Sequence, residues 1–184
     1  MGKALLVIDV QNEYFAPDGK LILPDGPKGL EKIHQLLDAA RASGIPVFHI
    51  VHERLTAAGA GFQSGTPGAE IHPSIQVLPG ETKIVKHFPG SFTQTPLEAY
   101  LRRAGADMLI VCGFMAQMCC DTTTRQAREK GFTVLYAADA TAARDLTVLG
   151  KTVPHTQVHE TTCAVMTQFA EVLPADEIIK RMAQ

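Results

Sequence analysis

The sequence predicts an α/β fold: a doubly wound, mostly parallel sheet of six strands with helices on both faces. Short, almost wholly apolar runs alternate with segments whose apolar residues recur at helical spacing, which is the pattern of βαβ units. Strands without polar alternation are typical of a parallel sheet that is covered on both sides. The 184 residues show no linker and no internal repeat, so a single domain over residues 1–184 is expected.

Six apolar runs supply the predicted strands. The first run ends at Asp9, the third ends at Lys86, and the last is only three residues long. In chain order the predicted strands are Ala4–Ile8, Pro46–Val51, Thr82–Val85, Met108–Cys112, Phe132–Ala137 and Glu171–Leu173.

Five segments between or after these strands are predicted to be helical. In the first, apolar residues recur every three or four positions and Gly44 ends the helix. Thr95 and Pro96 are typical of an N-cap and a first helical position, and they open the second. The predicted helices are Gly29–Ser43, Thr95–Arg103, Met118–Lys130, His155–Phe169 and Ala175–Met182.

The segment Glu53–Gly80 is long, rich in Gly and Pro, and without periodicity. Loops of this length inside a compact domain are usually functional lids or mobile segments. We therefore expect this loop to act either as a flexible lid over a pocket or as a contact between subunits.

Composition excludes several classes of function. The chain is 46% hydrophobic and 20% charged, which is typical of a soluble globular protein. A net charge of -2 without a run of Lys or Arg argues against a nucleic-acid partner. The longest apolar stretch, Met108–Ala116, is too short to span a membrane, and residues 1–10 lack the order of a signal peptide. Four cysteines without a CxxC pair do not form a disulfide framework, so a cytoplasmic location is expected.

Three polar residues end a predicted strand or lie just past one: Asp9, Lys86 and Cys119. Open parallel sheets bind ligands beyond the carboxyl ends of their strands. Taken singly, a turn-forming Asp, a solvated Lys and a small buried Cys are ordinary structural residues. Cys119 differs because it is expected in the first turn of a helix, where the helix dipole lowers the thiol pKa. Cys120 is its rival, and spacing alone does not choose between the two thiols.

Several separated motifs carry a family resemblance. They are Val7–Asn12, Gly65–Gly68 with Glu70 and Pro73, Lys86 with Ser91 and Phe92, and Gly113–Thr123. In this order they resemble the isochorismatase-like cysteine hydrolase superfamily, from Lys3 to about Thr141. The resemblance implies a Rossmann-like six-stranded parallel sheet and an Asp–Lys–Cys triad. The triad positions match Asp9, Lys86 and Cys119, which leaves Cys120 in a packing position.

The resemblance carries further expectations. It implies a cis peptide bond between Phe114 and Met115, and an oxyanion hole formed by the backbone N–H groups of Met115 and Cys119. It also implies a homo-oligomer, either a dimer or a larger assembly. One departure is Ala116, where many members carry Thr.

The chemistry of the three residues supports an amidohydrolase. An amide carbonyl needs a strong nucleophile, a group that accepts and returns a proton, and a site for developing negative charge. Cys119 supplies the thiolate, Asp9 moves the proton, and Lys86 holds the carboxylate and favours the thiolate. The predicted reaction is hydrolysis of a small amide, carbamoyl or related C–N bond through a thioester, without a cofactor.

Three histidines raise the question of a metal. Nicotinamidase-like members carry an Asp-x-His motif after the second strand, whereas this chain has His49, His52 and Glu53 there. Residues an odd number apart in one strand point to opposite faces, and His72 lies far along the chain. We therefore predict that no metal site is present.

The pocket wall is expected to include Gln11, Phe15, Phe88 and Phe92, with help from the loop Glu53–Gly80. The alternative for each aromatic residue is an ordinary place in the core.

Other functions compete with this prediction. An isochorismatase-type enzyme would cleave a vinyl ether, and a catalytically silent relative would act as a binding or scaffold protein. Nucleotide binding is disfavoured because the turn after the first strand, residues 9–16, contains no glycine.

Overall fold

The structure is a computed structural model that describes residues 2–55 and 61–183. These residues form eight strands and five α-helices. The strands are β1 (Gly2–Ile8), β2 (Val47–His52), β3 (Thr82–Lys86), β4 (Ala106–Phe114), β5 (Thr133–Ala142), β6 (Leu146–Val148), β7 (Lys151–Val153) and β8 (Glu171–Leu173). The helices are α1 (Gly26–Ala42), α2 (Leu97–Arg103), α3 (Asp121–Glu129), α4 (His155–Met166) and α5 (Ala175–Met182).

The main sheet has six parallel strands in the order β3–β2–β1–β4–β5–β8, which confirms the predicted fold class. The strand order reverses between β1 and β4, and such a switch point opens a crevice at the carboxyl ends of the strands. At the end of β1, Ile8 pairs with Ile50 of β2 and with Gly113 of β4. The next residue, Asp9, therefore lies at the mouth of this crevice.

Two buried apolar clusters cover the two faces of the sheet. On one face, Leu36 and Leu37 of α1 pack with Ile178 of α5. On the other, Leu97 and Leu101 of α2 pack with the strands together with residues of α3. Helices thus lie on both sides of every central strand, as the lack of polar alternation predicts.

Gly113 allows β1 and β4 to approach closely beside the crevice. Its φ is +116°, and a Cβ built on it would overlap the carbonyl oxygen of Ile8. Only glycine adopts this conformation and fits this space.

Apart from shifts of up to three residues at the ends of other elements, the structure differs from the sequence prediction in three places. Strand β5 continues to Ala142, five residues beyond the predicted end. The hairpin of β6 and β7 was not predicted; its turn residues Leu149 and Gly150 have φ values of +50° and +74°. Cys119 lies in a π-helical turn, Ala116–Cys120, ahead of α3.

The long loop is tied to the strand end that carries Asp9. Gln11 forms a β-bridge with Ile71, and the backbone N–H of Asn12 donates to the carbonyl of Glu70 at 3.0 Å. Residues 56–60 of the predicted lid lie outside the described residues, and its flexibility stays a prediction. Within the described part of the chain, no helix has both the length and the apolar character needed to cross a bilayer.

Candidate active site

Three side chains from separate elements meet at the crevice. Lys86 Nζ lies 2.8 Å from Asp9 Oδ2 and 3.3 Å from Cys119 Sγ. Asp9 and Lys86 are fully buried, and Cys119 is 7% exposed. The structure thus brings together a carboxylate, an ammonium and a thiol that are up to 110 positions apart along the chain.

The ends of two strands place Asp9 and Lys86, and the turn after β4 places Cys119. Asp9 follows β1, and its backbone N–H donates to the Ile50 carbonyl at 2.9 Å. Its φ of +51° is a left-handed conformation that a residue with a side chain adopts at a cost, often at a functional site. Lys86 is the last residue of β3, where its carbonyl accepts from the N–H of Glu53 at 3.0 Å.

The charges of the site favour a protonated sulfur at rest. Burial raises the pKa of Cys119 strongly, the Asp9 carboxylate raises it further, and Lys86 opposes both. Burial disfavours the charged form of Lys86, but Asp9 and Cys119 outweigh it and raise the pKa of the ammonium. The expectation that a helix N-terminus lowers the Cys119 pKa is therefore wrong, because the thiol is buried in a π-helical turn before α3.

Asp9 has an oxygen free for the proton of that thiol. Its Oδ2 accepts from Lys86, whereas its Oδ1 is buried and has no hydrogen-bond partner among the described residues. Such an unpartnered buried acceptor is costly unless it has a role. Oδ1 is the atom that can receive a proton without breaking the contact with Lys86.

The structure distinguishes the two adjacent thiols. Cys120 is fully buried in the apolar cluster on one face of the sheet. Cys119 contacts Lys86 and lines a cavity at the carboxyl ends of the strands. Only Cys119 is thus placed to meet a small molecule.

The peptide bond between Phe114 and Met115 is cis. The Met115 carbonyl accepts the N–H groups of Met118 and Cys120, each at 3.2 Å, which closes the turn that carries Cys119. The oxyanion hole at the N–H groups of Met115 and Cys119 stays a prediction.

The cavity beside Cys119 has a volume of ≈ 210 Å³. Tyr14 packs edge-on against Phe62 with ring centroids 4.9 Å apart, and His52 packs edge-on against Phe62 at 5.5 Å. An aromatic wall of this kind suits a small planar molecule. The described residues that line the cavity are Tyr14, Leu21, His52, Arg54, Phe62, His87, Pro89, Met115, Met118 and Cys119.

None of the four residues predicted for the pocket wall is among these. Gln11 is fully buried, with Nε2 donating to the carbonyls of His52 and Ala69 and Oε1 accepting from the His52 N–H. It therefore holds the backbone of two segments together rather than facing the cavity.

The three predicted pocket aromatics also lie elsewhere. Phe15 packs against Phe114 and His72, with ring centroids 5.8 Å and 4.5 Å away. Phe92 stacks on Phe132 in the core at 6.0 Å, and Phe88 is 43% exposed. Phe15 does not line the cavity because its neighbour Tyr14, at the end of the 3₁₀ turn Asn12–Tyr14, takes that place.

Sequence reasoning missed Tyr14, His52 and Phe62. His52 ends β2, so the strand-end argument that selects Asp9 and Lys86 also selects it, although it was considered only as a metal ligand. No sequence signal distinguishes Tyr14 from its neighbour Phe15. Phe62 comes from the long loop, and its backbone N–H is held by Glu13 Oε2 at 3.0 Å.

A cation lies near the cavity wall. Burial raises the pKa of Tyr14, the Asp9 carboxylate and an ionised Cys119 raise it further, and Arg144 opposes them. The Nε atom of Arg144 is buried and has no hydrogen-bond partner among the described residues. Arg144 thus acts on the charge of Tyr14 from outside the described lining of the cavity.

The three histidines considered as metal ligands have other contacts. His49 Nε2 lies 2.7 Å from Glu81 Oε2, His52 contacts Lys86, and His72 Nδ1 lies 2.8 Å from Ser74 Oγ. Among residues 2–55 and 61–183, no three His, Cys, Asp or Glu side chains are grouped as metal ligands.

With this geometry in place, comparison with known proteins identifies the family. The isochorismatase domain matches residues 3–177. The chain belongs to the isochorismatase family. Members of this family are hydrolases.

Relatives of this isochorismatase family protein cover most of its length. The uncharacterized isochorismatase family protein YddQ of Bacillus subtilis is 40% identical over 98% of this chain and 100% of its own. Nicotinamidase 3 of Arabidopsis thaliana is 33% identical over 76% of this chain and 72% of its own. A structure from Oleispira antarctica, described as an isochorismatase hydrolase, has a TM-score of 0.93 at 38% identity and covers 97% of this chain and 96% of its own.

Proposed function

We propose that this protein is a cysteine-dependent hydrolase that cleaves the C–N bond of a small amide or carbamoyl compound through a thioester on Cys119. The observation that carries the proposal is the contact of Lys86 Nζ with both Asp9 and Cys119 at the wall of a small cavity. A buried nucleophile beside a proton acceptor and a fixed cation is an arrangement for acyl transfer.

In the first half of the reaction, Cys119 Sγ forms a bond to the amide carbon while its proton passes to Asp9 Oδ1. The tetrahedral intermediate then collapses. Its C–N bond breaks as Asp9 gives the proton to the leaving nitrogen, which departs as ammonia or an amine. The remaining acyl group is a thioester of Cys119.

In the second half, a water molecule attacks the thioester carbon and gives a proton to Asp9. The C–S bond breaks, the carboxylic acid or carbamic acid leaves, and the proton returns to sulfur. The triad ends in the protonation state in which it began, so no cofactor takes part in the balance.

Asp9 is essential in this scheme because the buried thiol does not ionise by itself near neutral pH. Its pKa is raised by burial and by Asp9, so a thiolate forms only as the carboxylate takes the proton. Lys86 remains charged and then faces the thiolate at 3.3 Å.

The relative named nicotinamidase supports an amide as the substrate class. The cavity of ≈ 210 Å³ limits its size, since a water molecule occupies about 30 Å³ of liquid and about seven would fill it.

A substrate panel with a chemical trap tests the proposal. The protein is incubated with small neutral and anionic amides, ureas and lactams, and ammonia release is measured with and without hydroxylamine. A thioester intermediate gives a hydroxamate, and mass spectrometry of quenched enzyme places the acyl group on Cys119. Hydrolysis of an amide without hydroxamate or acyl-enzyme would contradict the covalent route.

A further inference from the structure

His52 is a polar group at the active site that the proposed mechanism does not use. It ends β2 and lines the cavity beside Cys119. Its ring packs edge-on against Phe62, and its backbone N–H and carbonyl are both held by the Gln11 side chain. The ring is therefore fixed in position, and the position of its proton decides what it offers to a ligand.

The contact with Lys86 determines which ring nitrogen of His52 carries the proton. Its Nζ lies 3.4 Å from His52 Nδ1, and an ammonium only donates hydrogen bonds. Nδ1 must then be the unprotonated, accepting nitrogen of the ring. Burial, followed by the charge of Lys86, lowers the pKa of His52 to about 4; Arg54 and His87 add to this effect and Asp9 opposes it. A neutral ring with an accepting Nδ1 carries its proton on Nε2.

The Lys86 ammonium has more acceptors than protons. Its three N–H groups face Asp9 Oδ2 at 2.8 Å, the Phe88 carbonyl at 3.2 Å, Cys119 Sγ at 3.3 Å and His52 Nδ1 at 3.4 Å. While sulfur is a thiol, the third proton is free for His52. When the thiolate forms, sulfur becomes the stronger acceptor and competes for that proton.

We propose that His52 binds the substrate through Nε2–H and selects compounds that place an acceptor oxygen beside the reacting carbon. Nε2 has no hydrogen-bond partner among residues 2–55 and 61–183, and the ring faces the cavity. This inference deepens the proposed function, on which it rests, by adding a requirement on the substrate.

A second histidine on the cavity wall, His87, carries its proton on the other ring nitrogen. His87 Nδ1 lies 2.7 Å from the Glu53 carbonyl, which only accepts, so Nδ1 carries the proton. In its neutral form His87 presents an accepting Nε2. The donor role therefore belongs to His52.

Alkylation of Cys119 tests the inference without the unknown substrate. Iodoacetamide carries a carbonyl oxygen beside its reacting carbon, and iodomethane does not. The measured quantity is the ratio of their rate constants at Cys119, followed by mass spectrometry. In His52→Asn the side-chain oxygen replaces Nδ1 and still accepts from Lys86, but the distal donor is lost, so the ratio is expected to fall about tenfold.

His52→Gln is the matched counterpart, because its amide nitrogen reaches the position of Nε2. This variant is expected to keep the ratio within about threefold of wild type, since it restores the donor. The half-buried His34 on α1 lies outside the lining of the cavity beside Cys119 and hydrogen-bonds Ser74 Oγ, so His34→Asn serves as the control with an unchanged ratio. A purely structural role of His52 would slow both reagents equally and leave the ratio unchanged in every variant.

A second measurement needs neither a variant nor a reagent. Nitrogen NMR of histidine-labelled protein distinguishes the two neutral tautomers. His52 is expected as the Nε2–H form between pH 6 and 8, a range that begins about two units above its pKa. An Nδ1–H tautomer, or an unchanged alkylation ratio in His52→Asn, would overturn the inference. Either result leaves the proposed hydrolase intact, because failure of that proposal is read from amide turnover and the acyl-enzyme.

Discussion

At the residue scale, the buried ammonium of Lys86 determines what the site can do. A buried charge is tolerated only with a partner, and the Asp9 carboxylate at 2.8 Å is that partner. When a proton moves from Cys119 to Asp9, the negative charge moves from carboxylate to sulfur and stays beside the same ammonium. The net charge of the site is unchanged by the step, so proton transfer creates no new uncompensated charge in the interior.

The two adjacent thiols give the first prediction. Cys119→Ala is expected to abolish hydrolysis of any amide that the wild type cleaves, because no other thiol contacts Lys86 among the described residues. Cys120→Ala removes only a buried sulfur and is expected to lower stability by about 1–2 kcal/mol with activity within about threefold of wild type. Ammonia release and thermal unfolding of both variants check this, and full activity of Cys119→Ala would exclude the nucleophile.

The opposite effects of Asp9 and Lys86 on the Cys119 pKa give the second prediction. Asp9→Asn removes a charge that raises this pKa, so iodoacetamide is expected to alkylate Cys119 faster at pH 7. Lys86→Met removes the charge that lowers it, so alkylation is expected to slow. Hydrolysis should fall by at least about a hundredfold in both, because each lacks a group that the reaction uses.

The measurement is the pH profile of alkylation, which is expected to shift to lower pH in Asp9→Asn and to higher pH in Lys86→Met. Either substitution leaves a buried partner unpaired and costs about 3–5 kcal/mol of stability, so unfolding is measured alongside. Shifts in the same direction in both variants would contradict the assigned charges.

At the element scale, the strands were predictable and the connections were less so. Ala4–Ile8 and Met108–Cys112 are apolar runs of five residues, a length that favours buried strands over helices, and their ends located Asp9 and the turn of Cys119. The hairpin of β6 and β7 was missed because its turn, Leu149–Gly150, lacks the Asn-Gly or Asp-Gly pattern of such turns.

The cavity wall was unpredictable for a different reason. Tyr14 and Phe15 are adjacent aromatic residues, and which of them faces the site depends on how the 3₁₀ turn Asn12–Tyr14 ends. That turn is fixed by contacts with the loop, including Glu13 with the Phe62 N–H, which no local pattern reveals. The ends of the strands therefore predict the reacting groups. Which residues line the cavity depends instead on tertiary contacts.

Glu81 joins three elements and gives the third prediction. Its carboxylate lies 2.8 Å from Arg41 Nε of α1, 2.7 Å from His49 Nε2 of β2 and 2.9 Å from the Leu78 N–H. Burial alone would raise its pKa, but Arg41, Leu78 and His49 lower it to about 2. Between pH 5 and 2 the unfolded chain binds more protons at this position, so stability is present above the unfolded pKa and is lost as pH falls.

Acid titration of the unfolding free energy measures this effect. Glu81→Gln is expected to be less stable than wild type by about 2 kcal/mol at pH 7, and the difference should shrink as pH falls toward 2. The exposed Glu171 pairs with Arg181, and Glu171→Gln serves as a control with a change of about 0.5 kcal/mol or less. A constant difference between wild type and Glu81→Gln at every pH would argue against the lowered pKa.

At the scale of the whole molecule, the reversal of strand order between β1 and β4 explains why the site lies where it does. The first strand, the third strand and the turn after the fourth deliver one group each to that point.

The family resemblance also predicts a homo-oligomer, which gives the fourth prediction. Sedimentation at several protein concentrations should show a dimer or larger species, and a monomer at all concentrations would contradict it.

The mouth of the cavity, through which a ligand reaches Cys119 from the molecular surface, gives the last prediction. Met118 lines the cavity but is 44% exposed, so its side chain forms part of the mouth rather than of the core. Met118→Ala should widen the mouth at a cost of about 0.5 kcal/mol, because its backbone bond to Met115 is kept. The bulky reagent N-benzyl iodoacetamide is then expected to reach Cys119 more easily. Its alkylation rate relative to that of iodoacetamide should rise about tenfold, which corresponds to about 1.4 kcal/mol. Val165→Ala on α4 removes a similarly exposed apolar side chain outside the cavity lining and should leave the ratio unchanged. An equal response of the two variants would mean that access to Cys119 is controlled somewhere other than at this mouth.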